Sequence, residues 1–416
     1  MILSPARRFV FLALASFLLA ALTTCAPRPP APDKLALKPV AFSDLPGWTA
    51  DDHTGAVAAL LRSCARFSRQ ADSTRLPPTS GDGANGDSPG IGGTLADWRQ
   101  ACSIAATLPA GDRIAARAFF ESQFRPFRAA NNRETTGLFT GYYEAELRGA
   151  RQASADYPVP LYRSPSDLVA VDLADFSAEF AGRTIAGKVV QGKLKPYDDR
   201  AAIEQGALRG RALELLWVDD PIDAFFLQIQ GSGRIVLDDG SVARVGYANK
   251  NGQVYTAIGR ELVKRGVMTP EQVSLQSLRD WLKANPAEAE GLMNTNRSYV
   301  FFREIPDAKP DEGPLGAQSV ALTPGRSLAV DRKFIPLGAP VWLDTGNPDD
   351  QQAPRLRRLV IAQDTGGAIR GPVRGDVFWG WGAAAEQRAG AMRDRGSYYI
   401  LLPLPAAERL LNRPTS

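Results

Sequence analysis

The chain reads as mainly β with a helical start, and three features of the sequence predict this. Short runs of β-branched and aromatic residues, parted by Gly and Pro, recur from Leu138 onward. Asp239-Gly240 separates Ile235–Leu237 from Val242–Tyr247, a hairpin signature. Before Leu138 the apolar residues fall instead at helical spacing. A length of 416 residues accommodates two domains beside an export segment. The coarse expectation is a helical N-terminal part, a mixed middle domain and a small C-terminal β-barrel.

Arg7 and Arg8 precede an apolar run from Phe9 to Leu22, short for a membrane span and suited to a signal-peptide core. Cys25 follows in Leu22-Thr23-Thr24-Cys25, which resembles a bacterial lipoprotein signal, although Thr24 stands where Gly or Ala is usual. Lipidation would make Cys25 the first residue of the mature chain, and Ala26 suits sorting to the outer membrane; a plain secretory signal is the other reading. Residues 26–44, Pro-rich from Arg28 to Pro39, read as a tether. Cys64 and Cys102 remain, either joined in an oxidising compartment or as two buried thiols.

Val57, Leu60, Leu61, Cys64 and Phe67 mark a first helix, and the Gly/Ser/Pro/Asp-rich stretch from Asp72 to Gly93 a surface loop. Thr94 is placed to cap a second helix carrying Leu95, Trp98 and Cys102. A third helix runs from Asp112 to Arg125 and stops at Pro126. Strands are expected at Leu138–Glu146, Val159–Tyr162, Ala224–Gln230 and Arg234–Leu237. Residues 255–285 read as helical, with Thr269-Pro270-Glu271-Gln272 supplying a cap, a first-turn proline and a capping-box glutamine. Toward the C-terminus, Ser319–Leu322, Leu328–Val330, Pro340–Leu343, Arg358–Gln363, Val377–Trp379 and Ser397–Leu402 predict the strands of the barrel.

Composition narrows the chemistry. A net charge of +4 with scattered Lys and Arg argues against nucleic-acid binding. His53 is the only histidine, which argues against a zinc site of the usual kind and leaves a Ser–His–Asp triad dependent on one residue in a polar stretch. Gly231-Ser232-Gly233 lacks the lysine and helix of a phosphate loop. Carboxylates remain, and carboxylates working alone are typical of glycoside cleavage. The glycosidic oxygen needs a proton as its bond to carbon breaks, and a shielded Asp or Glu supplies one. The stretch 359–382, LVIAQDTGGAIRGPVRGDVFWGWG, suits that task. Asp364 ends a β-run at a Gly-rich turn, and Asp376 is followed by Phe378, Trp379 and Trp381, which offer surface for desolvating a carboxyl or stacking on a sugar. The alternative is two turn aspartates beside core tryptophans.

Several segments in order carry a family likeness: Phe139-Thr140-Gly141-Tyr142-Tyr143-Glu144, Phe225 to Gly233, Asn294 to Tyr299, Gly316-Ala317-Gln318, Ala329 to Arg332 with Ile335 to Gly338, and Asp364 to Gly371 with Asp376 beyond. The chain resembles the membrane-bound lytic murein transglycosylase A family from about Phe139 to Leu402. The resemblance implies a double-psi β-barrel made from both ends of the chain, a second β-rich domain inserted between them, and a groove holding a glycan strand. It implies domains at 45–143, 144–312 and 313–416 after a signal at 1–25 and the tether. It also implies non-hydrolytic cleavage of the bond between N-acetylmuramic acid and N-acetylglucosamine, leaving 1,6-anhydro ends.

The family's catalytic aspartate falls on Asp376, although Gly375 precedes it where an aromatic is familiar. Asp364 is expected to raise the pKa of Asp376 by like charge or to hydrogen-bond it. Thr140, Tyr142, Gln230, Ser232, Asp331 and Arg370 form the expected substrate-binding set. Asp331 has a structural alternative in binding the Arg332–Pro336 turn, and one of Tyr142 and Tyr143 is expected in the core. No metal or organic cofactor is implied. The partners expected are peptidoglycan glycan strands and a lipid anchor on Cys25, with the chain a periplasmic monomer at the outer membrane. A hydrolase on the same barrel and a non-catalytic peptidoglycan-binding lipoprotein are the competing readings.

Overall fold

The computed structural model describes residues 32–76, 90–180, 184–306, 309, 312–349 and 355–412; Cys25 and its signal lie outside the described residues. The order begins with β1 (Leu35–Pro39), α1 (Thr54–Phe67), α2 (Ala96–Ala105), α3 (Arg113–Gln123) and β2 (Phe124–Asn131). One long strand, β3 (Gly137–Ala150), leads out of this part. Then come β4 (Val159–Tyr162), β5 (Val169–Asp172), β6 (Thr184–Val190), β7 (Lys193–Lys195), β8 (Glu214–Val218), α4 (Pro221–Gln230), β9 (Ser232–Leu237) and β10 (Val242–Lys250). Helices α5 (Ile258–Lys264), α6 (Leu275–Ala284) and α7 (Pro286–Asn294) precede β11 (Val300–Glu304). The chain ends with β12 (Ser327–Val330), β13 (Pro340–Gly346), β14 (Arg355–Asp364), β15 (Arg374–Trp381), α8 (Gly382–Ala391), β16 (Arg393–Pro403) and α9 (Leu404–Leu411).

Strand pairing closes a barrel. β16 pairs with β13, β13 with β14, β14 with β12, β12 with β15, β15 with β3, and β3 returns to β16. Two of these pairings, β12–β14 and β15–β3, are parallel. Closure removes the free edges a six-strand sheet would otherwise expose. β3 serves two sheets: Leu138 to Glu144 pair with β15, and Ala145 to Gly149 pair with β9 in the inserted domain. Barrel and insert are therefore joined through one continuous strand, and Glu144 stands at the crossing.

The helical start belongs to the barrel. α1 buries Ala56, Val57, Ala59, Leu60, Cys64 and Phe67, and these share one core with Trp342, Leu359 and Ile361. A disulfide joins Cys64 on α1 to Cys102 on α2. His53 is buried 4.3 Å from the Trp48 ring and stacks on Trp342 at 6.2 Å, so it is a core residue.

Local chemistry explains where the structure departs from expectation. Ala224–Gln230 is helical: the Asp220 carboxylate accepts from Ile222 N at 2.7 Å, Pro221 opens the helix, and Gly231 ends it at φ 81°. Its residues are buried on most sides, so the apolar run mimics a strand. Ser319–Leu322 forms no strand, only an isolated bridge between Leu315 and Ala321. The third helix ends at Gln123, and Pro126 lies inside β2, its carbonyl accepting from Val40 N. Leu95, not Thr94, holds the cap position of α2, and Asp97 reaches back to accept from Thr94 N at 2.8 Å. The helical region 255–285 is broken, with Pro270–Gln272 a single 3₁₀ turn closed by the expected glutamine on Thr269 N. Helix α8 was missed, because it is built from small residues with little periodic contrast.

Candidate active site

A cleft of about 990 Å³ lies between barrel and insert. Its wall from the barrel includes Thr140, Tyr142, Ala329, Asp364 and Asp376, together with Glu386 of α8 and Arg393 of β16. The insert contributes Gln230, Ser232 and the first turn of α6. Arg393 is the only cation among the described residues lining it.

Register explains why the barrel residues meet. Ala329 on β12 pairs with Asp364 on one side and Asp376 on the other. Asp376 pairs in turn with Thr140, and Thr140 with Arg393. Paired residues share a face of a sheet, so one row crosses five strands from Asp364 to Arg393. The small side chain of Ala329 leaves open space between the two aspartates. Gly375 points the opposite way, into the core: a Cβ there would stand 3.0 Å from Leu328 Cδ1 and 3.1 Å from the Phe139 ring. Phe139 thus fills the volume an aromatic at 375 would need.

Asp376 is partly buried and faces the cleft. Thr140 Oγ1 donates to its Oδ1 at 2.6 Å. Burial holds the carboxyl above the usual carboxylate range. The Thr140 hydrogen bond and the Arg374 charge pull it back, and the charge of Asp364 adds a smaller rise. Asp364 contributes by charge and makes no hydrogen bond to Asp376 among the described residues. Its own oxygens accept from Tyr142 OH at 2.8 Å and from the backbone N–H groups of Ala317 and Thr365, each at 2.9 Å.

Tyr142 and Tyr143 both line the cleft, and Tyr143, as expected of one of the pair, also packs against the main core. Burial, then the charge of Asp364, lifts the Tyr142 phenol well above its ordinary pKa, so it stays a donor. Tyr143 OH donates to Glu386 at 2.9 Å. Thr140 and Tyr142, expected to bind substrate, direct their hydroxyls at the two aspartates. Gln230 and Ser232 line the insert side.

Asp331 and Arg370 do not reach the cleft. Asp331 is buried and accepts from Lys333 N at 3.0 Å and Gly371 N at 2.9 Å, which ties the turn after β12 to the loop before β15. Arg370 is exposed, its Nε donating to Gly367 O at 3.1 Å. The tryptophans are not cleft residues either: Trp379 is core, and the ring of Trp381 is covered by the Arg234 guanidinium at 3.5 Å. Arg374, Glu386 and Arg393 were passed over in sequence. Arg374 had a visible signal, lying two residues before the candidate acid and hence on the same strand face.

Among the described residues no group of three or more His, Cys, Asp or Glu is arranged to hold a metal ion, and no helix is long and apolar enough to cross a membrane.

Comparison with known proteins agrees with this architecture. Residues 138–303 match the model for the MltA specific insert domain, and residues 326–402 match the 3D domain. Membrane-bound lytic murein transglycosylase A of Vibrio cholerae is 32% identical over 269 residues, which cover 64% of this chain and 65% of that protein, a little under two thirds of its length. The solved structure of a lytic transglycosylase, LtgG, of Burkholderia pseudomallei is 42% identical, covering 90% of this chain and 98% of that one with a TM-score of 0.61. MltA from Neisseria gonorrhoeae is 32% identical, covering 89% of this chain and 93% of that one with a TM-score of 0.73. Matched along nearly the full length of these structures, the chain belongs to the membrane-bound lytic murein transglycosylase A family.

Proposed function

We propose that the protein cleaves peptidoglycan glycan strands without water, breaking the bond between N-acetylmuramic acid and N-acetylglucosamine and leaving 1,6-anhydro ends. The observation that carries this reading is the state of Asp376: a shielded carboxyl in an interdomain cleft, with Oδ1 held by Thr140 and Oδ2 without a protein hydrogen bond among the described residues. The names of the relatives supply the polymer, murein.

In this mechanism Asp376 Oδ2 gives its proton to the bridging oxygen as the bond from that oxygen to muramoyl C1 breaks. The carboxylate so formed takes the proton of the C6 hydroxyl, whose oxygen bonds to C1. Each proton lost by the enzyme is regained, and water is not consumed. One group serves as acid and then base, a task suited to a carboxyl that burial raises and that Thr140 and Arg374 pull back. Asp364, fixed by three donors, places negative charge across Ala329, where positive charge develops on the sugar. The expected setting is the periplasm, with Cys25 lipidated and anchoring the chain to the inner leaflet of the outer membrane.

The test is digestion of purified peptidoglycan followed by mass spectrometry, with the Asp376→Asn variant beside the wild type. Anhydro-muropeptides from the wild type alone support the proposal. Reducing ends would support hydrolysis, for which Glu386 in the same cleft offers a second carboxylate. Sacculus binding without cleavage would leave a non-catalytic binding protein.

A further inference from the structure

Half-buried on the same face of β15 as Asp376, Arg374 makes three hydrogen bonds. Its Nη1 donates to Leu138 O at 3.1 Å and Gly375 O at 2.6 Å, and its Nη2 donates to Thr140 Oγ1 at 3.0 Å. Leu138 and Arg374 are register partners, so the guanidinium straddles the β15–β3 seam that also aligns Thr140 with Asp376. A hydroxyl that accepts from a cation is a stronger donor, and its one proton is committed to Asp376 Oδ1.

We propose that Arg374 is a positioning residue for the reaction, acting through Thr140 to fix Asp376 so that Oδ1 is the held oxygen and Oδ2 carries the proton into the cleft. This deepens the assignment of Asp376 as acid and base and rests on it. The hydroxyl of Thr140 alone can rotate. With its lone pair engaged by a guanidinium anchored on two backbone carbonyls, it has one orientation. Lysine in place of Arg374 keeps the charge but cannot span both carbonyls and the hydroxyl with a planar fork.

The charged and titratable groups around Asp376 define how the relay is read out. Arg374 lies on its own strand, Tyr142 on β3 and Asp364 on β14; Arg393 of β16 flanks Thr140, and Glu386 of α8 lines the same cleft. Arg374 and Thr140 favour the ionised carboxyl. Removing either raises the pKa of Asp376 further, so the acid form persists to higher pH and the alkaline limb of the pH–rate profile moves up. A residue that merely supports the fold leaves that limb in place.

The experiment compares full-length wild type, Arg374→Gln, Arg374→Lys, Thr140→Val and the Arg374→Gln/Thr140→Val double variant. Release of soluble fragments from purified peptidoglycan is followed across pH, and the Asp376 carboxyl is titrated by carbon NMR. Arg374→Gln and Thr140→Val each shift the alkaline limb and the NMR midpoint upward and lower kcat about 10- to 100-fold at little cost in KM. The double variant matches the single ones, because both cut the same chain. Arg374→Lys restores the limb more fully than the rate. A wild-type limb and NMR midpoint in a folded Arg374→Gln variant, or full additivity in the double, overturns the proposal. Should Arg374→Gln not fold, Thr140→Val and Arg374→Lys decide by the same readouts. The NMR midpoint is independent of products, so failure of the transglycosylase reading is seen separately, as reducing ends from the wild type.

Discussion

The Cys64–Cys102 disulfide offers a quantitative check on how the helical start supports the barrel. The bridge closes a loop with a sequence separation of 38. Loop-closure entropy for a ring of that size corresponds to about 4 kcal/mol at room temperature. For a barrel domain of roughly 200 residues, losing the bridge lowers Tm by about 8–16 °C. The consequence reaches the cleft through α1: Ser63 Oγ donates to Gln318 at 2.7 Å, and Gln363 Nε2 donates to Ser63 Oγ at 2.9 Å and to Ala59 O at 2.8 Å. Gln363 and Gln318 adjoin Asp364 and the Ala317 N–H that bonds it. The assay is calorimetry of the oxidised protein, the reduced protein and the Cys64→Ala/Cys102→Ala variant, with peptidoglycan lysis measured across temperature. Lysis at 25 °C should stay within about 2-fold of the wild type, because the native contacts remain, while the temperature of inactivation falls with Tm. A stability change below about 1 kcal/mol would show that the loop is already constrained in the unfolded chain, and would refute the entropy assignment.

Asp376→Asn should abolish cleavage and raise stability at neutral pH by about 1 kcal/mol, measured by urea unfolding. The sign follows from the raised pKa: the folded protein holds that proton more tightly, so the contribution of Asp376 to stability is greatest at low pH and declines as pH rises toward its folded value. Tyr142→Phe removes one donor from Asp364 and leaves two backbone donors, so kcat should fall about 10-fold without loss of fold; an unchanged kcat would remove Asp364 placement from the mechanism. Glu144→Gln removes the buried carboxylate that pairs with Arg234 and Arg244 and should cost about 3 kcal/mol in urea unfolding. Arg393→Glu should raise KM for peptide-bearing glycan more than for a neutral chitooligosaccharide, since it removes the sole cation among the described lining residues.

Much of the fold was legible because the pattern and the packing agree. The Asp239-Gly240 hairpin, the three early helices and five of the six proposed C-terminal strands follow from local chemistry that tertiary structure does not override. The misses have physical causes. A helix buried on most sides, as at Phe225-Phe226-Leu227, has no polar face to reveal its period, and only the cap pair Asp220-Pro221 gives it away. Helix α8 hides for the opposite reason, because Ala and Gly contribute little contrast on either face. Barrel closure depends on β3 pairing across more than two hundred residues, which no local pattern encodes.

The site divides along the same line. That Asp376 and Asp364 meet in the cleft was legible because a carboxylate beside Gly-rich turns and aromatics is unusual, yet the tryptophans expected to shield the carboxyl do not line that cleft. Trp379 packs in the core and Trp381 lies against Arg234, while Asp376 stands in a row that runs Asp364, Ala329, Asp376, Thr140. That row exists only once four strands are in register, two of them joined in parallel from opposite ends of the chain. Thr140 and Tyr142 were picked as sugar contacts, since a hydroxyl in a groove suggests a ligand. In the folded chain each hydroxyl meets a carboxylate first, and a buried carboxylate gains more from a fixed donor than a solvated sugar does. The residues around Asp376 are thus chosen by register rather than by proximity in sequence, and a larger side chain at Ala329, which stands in the cleft wall between the two aspartates, should disturb the site as much as a substitution at Tyr142.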